Sequence, residues 1–102
     1  MALSVNIEEL VWTPENEEHI AEHHVTSAEV EELFFEEGPY FRRGPEENLY
    51  HVYGRSGAGR YLFVVMIQLG RGKGYVVTAR DMDQKERRLY NRRAKKRSRE
   101  EG

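Results

Sequence analysis

The polar and apolar residues from Thr13 onward fall first at helical spacing, then in strand-like alternation, then at helical spacing again. Thr13-Pro14 predicts a helix start, with Thr13 as the cap and Pro14 at the first helical position, where a missing N–H costs nothing. The helix runs to about His24. Its residues Asn16, His19, Ile20 and His23 share one stripe, and with Ile20 as its only strong hydrophobe the stripe is too polar to be simple core. Thr26 and Glu29 make a capping box, Val25 and Val30 a hydrophobic staple, and Val30, Leu33 and Phe34 give a second helix, about Ser27 to Glu36, an apolar face.

Gly38-Pro39 ends that helix, and the period changes to two. Tyr40 to Arg42 and Leu49 to Arg55 read as strands, the latter setting Tyr50 and Val52 against His51 and Tyr53. Ser56-Gly57-Ala58-Gly59 reads as a hairpin turn into Arg60 to Leu69, apolar on both faces and so expected at the centre of a sheet. A second Gly-rich turn, 70–74, leads to a strand from Tyr75 to Arg80. Asp83 and Glu86 then make a capping box for a last helix that carries Met82, Leu89 and Tyr90 toward the core. With a short strand near Leu10 to Trp12, the order is strand, two helices, a three- to four-stranded antiparallel meander and a helix. That is an α+β domain over residues 1–90, followed at 91–102 by a basic helix extension or tail.

Composition narrows the function classes. At 102 residues the chain holds one domain with a modest core. It contains no cysteine, which excludes disulfides, thiol catalysis and Cys-ligated zinc. The start MALSVNIEELVW lacks the pattern of a signal peptide, and the longest apolar run, Leu62 to Ile67, is too short for a membrane span, so a cytoplasmic protein is expected. The net charge of −2 hides a division: residues 1–39 hold eleven Glu and no Lys or Arg, whereas residues 40–102 hold all 16 basic residues. Such asymmetry suggests one surface that faces a polyanion, backed by an acidic one that repels the wrong ligand or receives a basic partner.

Five sets of residues carry candidate chemistry. Arg55, Arg60 and Arg80 lie at strand ends, and their planar forks match phosphate oxygens if they converge. His19 and His23 occupy adjacent turns of one helix face, where an imidazole can move a proton at neutral pH. Their H-x-x-x-H spacing alone is weak support for a metal, and none is expected. Glu86 is a candidate general base as well as a cap. Lys85, Arg87, Arg88, Arg92, Arg93, Lys95, Lys96, Arg97 and Arg99 make the final helix a polycation able to hold nucleic acid by counterion release. Tyr50, Tyr53, Tyr61 and Tyr90 are candidate stacking or packing residues. No helix-turn-helix pattern precedes the sheet, which disfavours a DNA-binding regulator.

Taken together, these residues resemble the BrnT family of toxins from bacterial type II toxin–antitoxin systems over about Trp12 to Tyr90. The resemblance rests on Trp12, Asn16, His19, Ile20, Ala21, His23 and Val25, on Gly54-Arg55 and Ala58-Gly59-Arg60-Tyr61-Leu62-Phe63-Val64-Val65, and on Val77-Thr78-Ala79-Arg80-Asp81-Met82 with Glu86-Arg87-Arg88 and Tyr90. It implies a fold like the RelE-type ribonucleases, RNA cleavage without a metal or other cofactor, and neutralisation by a small ribbon-helix-helix antitoxin. It also implies Arg55 and Arg80 as phosphate-stabilising residues and His23 as the helical histidine. Glu86 and Tyr90 match the final-helix pattern, while Arg60, Lys85, Arg87 and Arg88 are the expected RNA contacts. Better-known members carry Asp after the Trp, Lys four residues past it and a Lys-His-Gly run, where this chain has Thr13, Asn16 and Glu22-His23-His24. Either histidines replace lysines in proton transfer, or the scaffold binds RNA or a protein partner without cutting.

Overall fold

The structure, a computed structural model, describes residues 5–36 and 38–101, with side chains through residue 94. The chain runs β1 (Glu9–Val11), α1 (Pro14–Ala21), α2 (Ser27–Phe35), β2 (Tyr40–Arg43), β3 (Leu49–Arg55), β4 (Tyr61–Gly70), β5 (Lys73–Asp81) and α3 (Gln84–Glu101). All strands join one sheet in the order β1-β5-β4-β3-β2. Strands β2 to β5 form an antiparallel meander. The short N-terminal strand adds to it in parallel, Leu10 opposite Gly74 and Val11 opposite Tyr75, which makes a five-stranded mixed sheet. The α+β class holds, with β4 at the centre. No helix among the described residues is long and apolar enough to cross a membrane.

Alternation along the strands sorts the core into two layers. Val52 on β3, Leu62, Val64 and Met66 on β4 and Val76 on β5 join Ile20, Val25, Val30 and Leu33 in one cluster, so α1 and α2 cover that face. The intervening Tyr53 and Phe63 join Met82 and Tyr90 in a second cluster, so α3 covers part of the other face. Gly54 lets α2 approach β3 closely: a Cβ there would lie 2.6 Å from Leu33 Cγ. Substitution must move Leu33, which is fully buried.

The helix ends follow from their capping residues. Thr13 and Thr26 each accept a bond from the backbone N–H three residues on, and Asn16 and Glu29 return the bond. At eight residues α1 is too short to persist alone, so its anchoring side chains hold it. Ile20 and Asn16 are both buried, whereas His19 and His23 are exposed. The polar stripe therefore divides. Asn16 Nδ2 donates to the carbonyls of Val11 (2.9 Å) and Val76 (3.1 Å), bridging β1 to β5 at the point where their pairing ends.

Candidate functional site: an arginine–aromatic sheet face

On the face that α3 partly covers, strand pairing sets Tyr53, Phe63 and Arg80 in one row and Arg42, His51, Val65 and Thr78 in the next. The Arg80 guanidinium carbon lies 4.3 Å from the Phe63 ring centre, and the His51 ring approaches the same phenyl edge-on at 5.2 Å. Arg80 reaches Glu86 through both ends of its fork, at 2.8 and 2.9 Å, and its Nη1 also donates to the Asp81 carbonyl. Glu86 Oε1 in addition accepts the Asp83 N–H at 2.8 Å, and Asp83 accepts from the Glu86 N–H, so the predicted capping box also orients Arg80. Hydrogen bonding to Glu86 pushes the Arg80 pKa further up, against a smaller opposing effect of burial. Arg80 is thus a fixed, permanent cation whose side chain remains 38% exposed.

A second arginine–aromatic set adjoins it. Tyr61 lies between Arg55, 4.9 Å from its ring centre, and Arg87, 4.4 Å away, and its hydroxyl donates to Asn91 Oδ1. Arg93 lies 5.3 Å from the Tyr40 ring, and Tyr90 meets Tyr61 edge-on while remaining buried. Lys85, Arg87, Arg88, Arg92 and Arg93 are exposed on α3. The side chains of Lys95, Lys96, Arg97 and Arg99 lie outside the described residues. Burial raises the Tyr53 pKa, and the hydrogen-bonded, charged Arg42 beside it offsets only part of that rise. The hydroxyl stays protonated at neutral pH.

Several expected neighbours are on the other side. Arg60 precedes β4 in phase with Leu62 and Val64, and its Nη1 donates to Glu29 and to the His24 carbonyl while Nε donates to Asp81 at 2.7 Å. Arg55, Arg60 and Arg80 were expected to converge; alternation directs Arg60 to the helices α1 and α2, which leaves Arg55 and Arg80 on the α3 face, over different rings. His19 and His23, with ring centres 6.1 Å apart, also belong to that layer. The sheet separates them from Arg80. Among the described residues, no group of three or more His, Cys, Asp or Glu is arranged to hold a metal ion. Tyr50 is buried against Phe41 in the helical layer, away from Tyr53 and Tyr61.

Arg42 and His51 were not among the expected site residues. The alternation that sets His51 beside Tyr53 on one face was legible, but without the position of α3 nothing marked that face as a site. The charge division also gains a spatial meaning. Glu15, Glu17 and Glu18 are exposed on α1 and Glu22 just after it, and Lys85, Arg87, Arg88, Arg92 and Arg93 are exposed on α3, so these two runs of opposite sign lie on opposite sides of the sheet.

The Arg60 latch carries a pH prediction. Hydrogen bonding from Arg60 lowers the Asp81 pKa below its ordinary value, outweighing its slight burial. A depressed folded-state value means that this stabilisation is fully present above the unfolded value of about 3.9 and is lost as pH falls through the folded value. Urea unfolding of Asp81→Asn at a series of pH values should give a shallower loss of stability below about pH 4. Profiles of identical shape would show that Asp81 is not part of the acid response. Compared with protein-family models, curated proteins and solved structures, the chain gives no match.

Proposed function

We propose that the protein is a metal-independent endoribonuclease of the toxin type, acting on RNA laid across the α3 side of the sheet. One observation carries the reading: Arg55, Arg80, Arg87 and Arg93 are held against aromatic rings on a single face. Cations fixed in this way suit phosphate oxygens, and the rings and guanidinium planes beside them suit splayed bases. In this reading Arg80 stabilises the charge that grows on phosphorus, Arg55 holds a flanking phosphate, and α3 supplies sequence-independent affinity. The resemblance to BrnT toxins adds its support, together with the expectation of a cytoplasmic protein paired with a ribbon-helix-helix antitoxin. The exposed glutamates of α1 suit a basic segment of such a partner.

The reading is tested with purified protein and single-stranded RNA in excess chelator. Cleavage products ending in a 2′,3′-cyclic phosphate are expected, and binding should weaken with salt with a log–log slope of about −0.7 per phosphate contacted. Salt-sensitive retention of intact RNA with no products would reject the enzyme in favour of a non-catalytic RNA-binding module. One contact favours that second reading: Glu86 already fills the Arg80 fork.

A further inference from the structure

We propose that His51 is the catalytic base of this face, taking the 2′-hydroxyl proton of an RNA whose adjacent phosphate is held by Arg80. The inference rests on the ribonuclease reading and adds to it the residue that begins the reaction. Proton abstraction requires a free acceptor within reach of the same phosphodiester that the arginine holds. Strand pairing places His51 directly opposite Arg42 and in the row next to Phe63 and Arg80. Because His51 and Arg80 both pack against Phe63, at 5.2 and 4.3 Å from its centre, they can be no farther apart than those two distances laid end to end.

The other candidates are committed elsewhere. His19, His23 and His24 belong to the helical layer across the sheet. Glu86 shares its two oxygens among three donors, two on Arg80 and one at the Asp83 amide, so taking a proton would break the bonds that orient Arg80. Tyr53 is buried and keeps its own proton. His51 is half-exposed, and among the described residues its ring nitrogens have no hydrogen-bond partner.

The step balances as follows. The 2′-hydroxyl proton passes to an imidazole nitrogen of His51, the 2′-oxygen forms a bond to phosphorus, and the bond from phosphorus to the 5′-oxygen breaks. That leaving oxygen takes a proton from water, and His51 returns its proton to solvent. The products are a 2′,3′-cyclic phosphate and a 5′-hydroxyl end.

The test compares wild type, His51→Ala and His51→Gln on single-stranded RNA in chelator, with binding measured on the same sequence carrying 2′-deoxy sugars. Both variants should bind as wild type does and cleave about 100-fold more slowly, and added imidazole should restore part of the His51→Ala rate. Wild-type rates in both variants, or a loss in His51→Ala that imidazole does not restore, would overturn the assignment to His51 and leave the ribonuclease reading standing. Failure of the wild-type protein to cleave RNA would overturn both.

Discussion

Replacing Arg80 by alanine is expected to lower RNA cleavage by about 100- to 1000-fold, the usual cost of removing one donor aimed at developing negative charge. Growth arrest on expression should disappear with it. Arg80→Lys keeps the charge but lacks the planar fork, so it cannot engage both Glu86 oxygens as the arginine does and should recover little of the rate. The alanine variant also leaves Glu86, whose side chain is 15% exposed, without its cation. That costs about 1–3 kcal/mol of stability, so rates must be compared per folded molecule at a temperature below both unfolding transitions. The Glu86 carboxylate keeps its bond from the Asp83 N–H in that variant, so α3 retains its cap. Unchanged arrest and unchanged cleavage would remove Arg80 from the mechanism.

The parts of the fold that local chemistry determines were legible in the chain. Thr13-Pro14, Thr26 with Glu29 and Asp83 with Glu86 each close a hydrogen-bonded cap within a few residues, so their helices were read at their starts. The apolar run in β4 likewise gave its central place. Less legible was whatever depends on which side of the sheet a helix packs. Arg60 and Tyr61 are neighbours in sequence, yet one latches the α1–α2 layer and the other lies under the arginines of the α3 face. The short strand before Trp12 carried no sign of its parallel partner more than sixty residues later, because that pairing is made by backbone bonds between distant segments and bridged by the side chain of Asn16, whose partners the local sequence does not show. His19 and His23 read as chemistry because the stripe they share with Asn16 and Ile20 was polar. Only its inner half, however, enters the core.

Asn16→Ala is expected to be the most damaging single change outside the apolar core, at about 3 kcal/mol, with the unfolding midpoint falling by more than 10 °C if each kcal/mol is worth about 4–8 °C in a domain of this size. The alanine deprives the Thr13 N–H of its acceptor, 2.7 Å away, and deprives the carbonyls of Val11 and Val76 of their shared donor. Each polar group left buried without a partner costs about 1–3 kcal/mol, more than the gain in helix propensity from alanine. Asn16→Asp separates the two functions. Its carboxylate can still accept from the Thr13 N–H, but its second oxygen would face two carbonyl oxygens. That contact and burial raise the folded-state pKa of the new carboxyl above its unfolded value, so its stability deficit should shrink as pH falls, once the group protonates and can donate to one carbonyl. Urea unfolding at neutral and mildly acidic pH checks both variants. An Asn16→Ala protein within about 0.5 kcal/mol of wild type, the range of ordinary surface substitutions, would mean that β1 is held by its backbone pairing with β5 and not by this amide.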